Sequence, residues 1–373
     1  MRVLYLLNFA GKAGTERYVQ SLVESLNHKE IEAFFVYNVS GLLVERMKEM
    51  GVPCFHLEMR SRLDRKAAKT LSDLCKRWKI DVIHAHYLRE NYIAMLSKRW
   101  NPGVKVVYTS HFIMDNNWYT RVSNRILSSR QDRVISVCTV GKESLIRNGL
   151  DGAKIQVIFN AVDPGYWKKP EPSTLRQELG ISEEIFVMLC ASRFADDKGH
   201  QYLIDSIALL KQQTQRPFLL VLAGDGELLG SSKEQVSALG LDHEVRFIGF
   251  RKDMKNLYQG SSLYVNSSRH EALSFLIIEA MAAGLPVIAT DMGGNRDIVN
   301  EANGCGILVE YPHPASMAAA MKTLLEDPDL LARYREGALR TVEEKFNLSK
   351  MAKATYQVYQ DACGNVGYPE NDH

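Results

Sequence analysis

The chain contains 373 residues, of which 46% are hydrophobic and 24% are charged, and its formal net charge is +2. Because a typical domain holds roughly 100–200 residues, this length favours two domains. The composition is that of an ordinary folded protein and excludes disordered and collagen-like classes. No apolar run approaches the roughly 18 residues that cross a bilayer. The short apolar run Val3 to Leu7 is better interpreted as a first buried strand than as a signal peptide.

Charge and cysteine usage give weaker indications. Residues 1–165 hold 25 Lys and Arg against 16 Asp and Glu, and the remainder holds 21 against 28. A basic front half favours an anionic partner for that half, although an ordinary solvated surface explains the count equally well. The six cysteines form no C-x-x-C pair and lie mostly in apolar segments, which indicates reduced core thiols in a cytoplasmic protein.

Short apolar runs alternate with amphipathic helical stretches along the first half. One helix is predicted from about Thr15 to Leu26 and another near Gly41 to Met50. The runs predicted as strands are VLYLLNF, EAFFVYN, CFHLE, DVIHAH, KVVYTS, RVISVC and KIQVIFN. Strands that alternate with helices predict a mostly parallel sheet with helices on both faces.

The same pattern restarts after Asp163–Ser173, DPGYWKKPEPS, which holds three of the eleven prolines and is predicted to be a linker. The strands predicted after it are IFVMLCASRF, FLLVLAGDG, VRFIGF, SLYVNSS, LPVIATD and GILVE. We therefore expect an α/β protein of two facing, doubly wound Rossmann-like domains, residues 1–165 and 166–349. The last amphipathic helix, about 350–373, has no strand after it and is predicted to return to the first domain.

Ligands of such sheets bind outside the carboxyl ends of the strands, so polar residues just past a strand are the candidates. In the first loop, FAGKAGTERY, Gly11 and Gly14 precede a helix and let backbone amides approach a phosphate or a sugar. A plain strand-to-helix turn would use the same residues. A later stretch, AGDGELLG, resembles a dinucleotide fingerprint but has the wrong glycine spacing, so a nicotinamide enzyme is disfavoured.

The loop SRFADDKGH places Arg193 and Lys198 after a strand and before a helix. Two cations beside a helix N-terminus suit a diphosphate, because both neutralise charge on a departing phosphate. His84, His86 and His111 also lie at strand ends, but their spacing matches no metal signature, and no metal site is predicted. His111 alone is a candidate substrate contact.

The stretch HEALSFLIIEAMAAGLPVIAT combines a very apolar helix with two carboxylates, Glu271 and Glu279. Ser274 is predicted to be the helix N-cap and Gly284 the residue after its end. Because the helix has no wide polar face, Glu279 is predicted to be buried, which costs roughly 2–7 kcal/mol unless a hydrogen bond compensates it. The partner would be a lysine or arginine of the same protein, or a ligand with two hydroxyls.

Two basic stretches of the first half are also partly apolar. The first, RSRLDRKAAKTLSDLCKRWK, is a predicted helix with the apolar stripe Ala67, Leu71, Leu74 and Trp78, and the second is WYTRVSNRILSSR. Either would suit an anionic membrane surface, and either would equally suit packing within the domain. Nothing resembles a nucleic-acid-binding motif, so no nucleic-acid partner is predicted.

Taken together, these motifs resemble the retaining GT-B glycosyltransferases of glycosyltransferase family 4. The resemblance covers nearly the whole chain, from the first loop through IFNAVD and SRFADDKGH to HEALSFLIIEAMAAGLPVIATDMGG, and this last motif is the most specific. It implies that residues 1–165, completed by the C-terminal helix, bind the acceptor. Residues 166–349 would bind a nucleotide-sugar donor, for which UDP is the expected nucleotide.

The resemblance also implies roles for individual residues. Glu279 would bind the ribose hydroxyls, Glu271 would lie beside the donor sugar, and Arg193 and Lys198 would hold the diphosphate. His111 would lie near the reacting sugar carbon and complete a catalytic set with Glu271, Arg193 and Lys198. The remaining donor contacts would be Gly14 near the phosphates, the backbone amides of Ser274, Phe275 and Leu276, and the segment around Phe250 and Arg251.

Enzymes of this family need no bound metal, so the resemblance implies no cofactor. A glycan, a lipid carrier or a cell-envelope polymer would be the acceptor, and contact with the inner face of the membrane would follow for a lipid-linked one. EALS stands where the family usually has E-G-F-G, and NAVD where it has N-G-[VI]-D, which leaves the donor sugar open. The alternatives are a nucleotide-sugar epimerase or hydrolase on the same fold and a non-catalytic sugar-binding relative. The presence of Arg193, Lys198 and Glu279 disfavours the last.

Overall fold

The computed structural model describes residues 1–11, 13–114 and 117–364. Its contacts divide the chain into two compact units. The first contains residues 1–160 together with the last helix, and the second contains Ala161–Asn347. The division precedes the predicted boundary at residue 165 by a few residues. Residues 365–373 of the predicted C-terminal helix lie outside the described residues.

A parallel sheet of seven strands, in the order β3-β2-β1-β4-β5-β6-β7, forms the centre of the first unit. The strands are β1 (Arg2–Phe9), β2 (Glu32–Val39), β3 (Cys54–His56), β4 (Val82–Ala85), β5 (Lys105–Ser110), β6 (Arg133–Ser136) and β7 (Ile155–Val157). The helices between them are α1 (Gly14–Leu26), α2 (Leu42–Glu49), α3 (Arg65–Trp78), α4 (Leu88–Ser97), α5 (Trp118–Leu127) and α6 (Thr139–Arg147).

The central strand β1 is buried on both faces. Every side chain from Val3 to Leu7 is fully inaccessible to solvent, and the strand pairs in parallel with β2 on one side and β4 on the other. A strand that is covered on both faces has a continuous apolar run rather than an alternating pattern. This burial explains the continuous apolar run of VLYLLNF.

The last helix of the chain, α16 (Leu348–Cys363), belongs to the first unit and packs against α1 and β5. Its buried Tyr359 hydroxyl lies 2.7 Å from Nδ1 of His84 on β4 and donates to the Tyr5 hydroxyl on β1 at 3.3 Å. A buried polar group without a hydrogen-bond partner costs free energy, and Tyr5, His84 and Tyr359 supply such partners to one another. The helix is therefore tied to the sheet by hydrogen bonds as well as by apolar packing.

The second unit contains a parallel sheet of six strands in the order β10-β9-β8-β11-β12-β13. The strands are β8 (Phe186–Ala191), β9 (Phe218–Ala223), β10 (Val245–Gly249), β11 (Leu263–Asn266), β12 (Val287–Thr290) and β13 (Gly306–Val309). The helices are α7 (Pro164–Lys168), α8 (Leu175–Leu179), α9 (His200–Gln213), α10 (Leu229–Ala238), α11 (Met254–Gln259), α12 (Phe275–Ala282), α13 (Asn295–Ile298), α14 (Pro314–Glu326) and α15 (Pro328–Lys345).

The segment predicted as a linker, Asp163–Ser173, is not a structureless connection. Asp163 caps α7 by accepting from the amide of Gly165 at 2.9 Å, and Pro164 occupies the first helical turn. Trp167 is buried and its ring packs edge-on against that of Tyr258, with centroids 5.6 Å apart. The prolines misled the prediction, because proline at the first position of a helix is a start signal as well as a loop signal.

Replacing Tyr359 with Phe should destabilise the first unit by about 1–3 kcal/mol, because Nδ1 of His84 then has no partner in a buried site. The free energy of unfolding measured by urea denaturation checks this. Tyr356→Phe, on the same helix but less buried, is the control and should cost about 0.5 kcal/mol or less. Equal losses in the two variants would contradict the assigned role of the Tyr359 hydroxyl.

Candidate functional site

The loops that follow the strands of the second unit are held together at the carboxyl edge of its sheet. A Cβ on Gly224 would lie 2.0 Å from the backbone oxygen of Ser192, and one on Gly226 would lie 2.5 Å from that of Phe194. Both glycines also have positive φ angles, +151° and +152°. The glycines of AGDGELLG therefore allow the loop after β9 to pack on the loop after β8. This packing accounts for the glycines without any dinucleotide.

Lys198 and Glu271 form the central ion pair of this edge. Nζ of Lys198 lies 2.9 Å from Oε2 of Glu271 and 3.4 Å from Oδ2 of Asp197. Burial opposes the charge on Lys198, but the two carboxylates outweigh it, so the pKa of Lys198 is raised. The lysine is therefore a permanent cation in a partly buried site, which suits it to bind an anion.

The loop that carries Glu271 is fixed to the turn that carries Lys198. The Ser267 hydroxyl donates to the backbone oxygen of Lys198 at 2.8 Å. The amide of Arg269 donates to the backbone oxygen of Asp197 at 2.8 Å, and its guanidinium donates to Asp196 at 2.9 Å. Two predicted site residues that are 73 positions apart in the sequence are thereby held in contact.

Arg193 lies on the same strand-end loop but reaches into solvent. Its side chain is 67% exposed, and its nearest carboxylate is that of Asp197, with Nη2 and Oδ1 3.7 Å apart. At this separation the pair is weak and does not fix the guanidinium. Arg193 is thus a second cation beside the Lys198 turn, and its side chain remains accessible to an anionic ligand.

Helix α12 begins where the sequence predicted. Ser274 has an extended backbone and its side chain accepts from the amide of Ile277 at 3.5 Å, while Gly284 has a φ of +83° just past the end of the helix. The N-terminal turn of α12 thus lies directly after the loop that carries Glu271. The amides of a first helical turn point along the axis without intrahelical acceptors, which makes this end of a helix attractive to anions.

Glu279, in the middle of α12, is buried as predicted, with 2% of its surface exposed. The hydroxyl of Tyr258 on α11 donates to Oε2 of Glu279 at 3.1 Å, and it also lies 3.2 Å from the backbone oxygen of Leu276. The donor shown by the structure is therefore a tyrosine. Nothing in the sequence pattern singled out Tyr258, because its spacing from Glu279 has no periodic relation.

Phe250 and Arg251 follow β10 and differ in their exposure and in their hydrogen bonds. Phe250 is largely exposed. Arg251 donates from Nη1 to Glu178 at 2.7 Å and from Nε to Asp253 at 2.8 Å. Arg251 holds the pKa of the Asp253 carboxyl well below its usual range. The guanidinium of Arg251 is therefore committed to two carboxylates, which leaves Phe250 as the accessible side chain of this segment.

In the first unit, the three predicted strand-end histidines lie together. Nδ1 of His86 is 3.2 Å from Nε2 of His111, and the ring of Tyr18 packs edge-on against His111 with centroids 4.9 Å apart. Burial lowers the pKa of both His84 and His111 to about 3. His111 is therefore a neutral imidazole at physiological pH. Within the described ranges, no group of three or more His, Cys, Asp or Glu side chains is arranged to hold a metal ion.

Gly14 is the first residue of α1 and is exposed.

Two buried carboxylates of the first unit, Glu16 and Glu90, were missed by the sequence analysis. Both oxygens of Glu16 and both of Glu90 lack a hydrogen-bond partner among the described residues. Burial raises the pKa of Glu90 to about 7. Glu16 follows the glycine loop and Glu90 follows β4, so the strand-end criterion that selected the other residues could have selected these as well.

Known families and proteins match both units. The pattern of Glycosyl transferases group 1 covers residues 172–341, and that of Glycosyltransferase Family 4 covers residues 13–166. EpsD of Bacillus subtilis strain 168, a proposed glycosyltransferase, is 30% identical over 320 residues, which span 79% of this chain and 80% of EpsD. The N-acetyl-alpha-D-glucosaminyl L-malate synthase of Bacillus anthracis is 27% identical over 304 residues, which span 80% of this chain and 79% of that enzyme.

A solved structure shows the same fold. HepE of Anabaena in complex with UDP aligns with a TM-score of 0.86 at 22% identity, over 97% of this chain and 100% of that one. Two α/β units with parallel sheets of seven and six strands form the GT-B fold, which is the fold of this solved structure. The chain belongs to the group 1 glycosyltransferases of family 4. The fold and the family predicted from the sequence are confirmed.

The free energy of unfolding should fall as the pH falls below about 6.5. In this range His84 and His111 bind a proton in the unfolded chain, whereas burial keeps them neutral in the folded protein. Each such histidine contributes a loss of up to about 1.4 kcal/mol per pH unit. Urea denaturation at about pH 7, 6 and 5 measures the slope, and His84→Gln should reduce it. Since Glu90 contributes with the opposite sign, the difference between the two proteins is the quantity to compare. Identical slopes would contradict a neutral, buried His84.

Proposed function

We propose that this protein is a retaining glycosyltransferase that moves a sugar from a nucleotide-sugar donor, a UDP-sugar, to a hydroxyl of a glycan, lipid-linked or cell-envelope acceptor. The observation that carries the proposal is the Lys198–Glu271 contact of 2.9 Å at the carboxyl edge of the second sheet. It places a permanent cation and a carboxylate next to the N-terminal turn of α12. That combination suits a diphosphate with a polyhydroxylated sugar attached.

The donor would bind to the second unit through its three chemically distinct parts. Lys198, Arg193 and the first amides of α12, at Ser274, Phe275 and Leu276, would hold the diphosphate. Glu279 would accept hydrogen bonds from the ribose hydroxyls, with Tyr258 keeping its carboxylate oriented. The base would lie beside the exposed ring of Phe250, and Gly14 at the start of α1 would face the phosphates.

In the chemical step, the oxygen of the acceptor hydroxyl forms a bond to the anomeric carbon while the bond from that carbon to the donor phosphate oxygen breaks. The acceptor proton passes to the departing phosphate oxygen, and attack on the face that the phosphate leaves retains the configuration. Lys198 and Arg193 would stabilise the charge that develops on the nucleoside diphosphate. Glu271 would position the sugar, and the neutral His111 would contact it near the reacting carbon.

The reaction would need no bound metal, because Lys198, Arg193 and the N-terminus of α12 would together neutralise the diphosphate. Support for UDP comes from HepE, which has been solved with UDP and, in a separate structure, with UDP-glucose. A basic first unit is consistent with an anionic or lipid-linked acceptor in the cytoplasm at the inner face of the membrane. Nucleic acid has no place in this proposal.

A thermal-shift panel of nucleotides and nucleotide sugars in the presence of EDTA should show stabilisation by UDP and its sugars. A ligand at about 100 times its dissociation constant adds about 2.7 kcal/mol of stability, which is readily seen as a higher midpoint. The same panel without EDTA is the control and should give the same shifts. Stabilisation that requires a divalent metal, or that only NAD produces, would contradict the proposed donor site.

Glu279→Ala and Glu279→Gln should each weaken UDP binding by about tenfold or more, because hydrogen bonds to a charged group contribute about 1.5–3 kcal/mol. Isothermal titration calorimetry measures this. Gln keeps the size of the side chain and so separates the lost charge from any loss of packing around Tyr258. Glu234→Ala removes an exposed carboxylate from α10 and should leave the affinity unchanged. Wild-type affinity in both Glu279 variants would refute the ribose assignment.

A further inference from the structure

Helix α5 buries polar side chains and exposes apolar ones, which is the opposite of an ordinary surface helix. Its buried side chains are the polar Thr120 and Asn124, which are 8% and 3% exposed. Four of its apolar side chains are exposed: Trp118 at 64%, Tyr119 at 65%, Val122 at 48% and Ile126 at 70%. A surface helix of a globular protein normally turns its apolar stripe towards the core. This helix turns it towards solvent.

The orientation of α5 is set by specific hydrogen bonds. Oδ1 of Asn124 accepts from the Tyr92 hydroxyl at 2.7 Å, and its Nδ2 donates to the backbone oxygen of Asn148 at 2.8 Å. At the start of the helix, Oδ1 of Asn117 accepts from the amide of Tyr119 at 3.0 Å. Rotating α5 to bury its apolar face would break the Asn124 contacts in a buried site. The hydrogen bonds of Asn124 therefore keep the apolar face of α5 exposed.

The charged residues of α5 and of the short segment after it have one sign. Residues 117–131 contain Arg121, Arg125 and Arg130 and no aspartate or glutamate. All three arginines are exposed, and Arg121 and Arg125 are four residues apart, so they lie along one flank of the apolar face. Arginines beside exposed Trp, Tyr and Ile side chains match the interface of an anionic bilayer, where aromatic rings settle at the depth of the headgroups.

The structure also distinguishes the two basic stretches that the sequence offered for this role. On α3 the apolar stripe of Ala67, Leu71 and Leu74 is buried in the core of the first unit. The exposed side chains of that helix are all charged, and Trp78 is half-buried, with its ring stacked on Phe34. On α5 both the arginines and the apolar side chains are exposed, so only α5 can combine electrostatic attraction with burial of apolar surface.

We infer that the exposed face of α5, formed by Trp118, Tyr119, Val122 and Ile126 with Arg121 and Arg125, docks on the surface of an anionic phospholipid membrane. The helix follows β5 in the sequence and begins seven residues after His111, the candidate sugar contact of the first unit. The inference deepens the proposed function by naming the surface that would meet a lipid-linked acceptor, and it rests on that function only for this link.

A membrane is favoured over a protein partner by the size and charge of the face. A specific protein interface takes about 20–30 residues a side, whereas this face offers four apolar side chains and a few arginines on a helix of ten residues. None of the described helices is long and apolar enough to cross a bilayer. Docking would therefore be peripheral, with the aromatic side chains entering the headgroup region.

Vesicle cosedimentation with the full chain tests the inference, using phosphatidylcholine vesicles with and without about 30% phosphatidylglycerol at low salt. The protein should bind the anionic vesicles at least about tenfold more tightly. Tryptophan emission should shift to the blue on binding, because Trp118 leaves water for the headgroup region. Trp118→Phe should abolish most of the shift while it retains most of the binding.

Two pairs of matched variants separate α5 from the rest of the basic unit. Arg121→Glu with Arg125→Glu should weaken binding about tenfold or more, whereas Arg65→Glu with Lys66→Glu, the same change in charge on α3, should have a much smaller effect. Val122→Ser with Ile126→Ser should also weaken binding without any change in charge. Leu42→Ser with Leu63→Ser, which alters exposed apolar residues elsewhere, should not.

The outcomes that overturn the inference are specific. Equal losses from the α5 and α3 charge reversals would show that net charge alone attracts the protein. An absence of vesicle binding would refute membrane docking. A dimer that dissociates on Val122→Ser with Ile126→Ser would assign the face to a protein contact instead. UDP binding measured on the same variants should be unchanged, so a failure of membrane docking is distinguishable from a failure of the proposed donor site.

Discussion

A parallel strand that is covered on both faces can carry almost no charge, and this constraint organises both units. Charged and polar side chains, which the buried strands exclude, lie instead just past the carboxyl ends of the strands. There the backbone turns into a loop, and the next helix offers its positive terminus. Lys198, Glu271, Arg193 and the start of α12 all meet this condition in the second unit, and His86 and His111 meet it in the first. Sites of this kind follow from the architecture before any ligand is considered.

The same constraint explains how much the sequence could predict. The strands, the limits of α12 and the burial of Glu279 were predictable, because each depends on local hydrophobic pattern and capping residues. Tyr258 as the partner of Glu279 and the Asn124 contacts that orient α5 were not, because each joins residues that no periodic pattern relates. The ordered helix at Pro164 was missed for another reason, since proline begins helices as readily as it breaks them.

The Lys198–Glu271 ion pair at the sheet edge bears on both the stability of the unliganded protein and its capacity to bind an anion. Lys198 is partly buried, so without a counter-charge its ammonium would be costly, and Glu271 supplies that charge. A diphosphate that approached Lys198 would take over the same neutralising task. The carboxylate would then be released towards whatever the phosphate carries. One contact can thus keep the unliganded edge stable and leave a hydrogen-bond acceptor free when it is replaced.

The assignment of α16 to the first unit has a consequence for how the chain is made. The second unit is contiguous, from Ala161 to Asn347, whereas the first depends on a helix that begins at Leu348. On the ribosome, the second unit can complete its core before the first has its last element. Until then His84 and Tyr5 have no hydroxyl from α16 to bond. The first unit therefore cannot be complete until α16 has been synthesised, although most of its chain precedes the second unit. Until then, the apolar and polar surface that α16 covers in the folded protein has no partner.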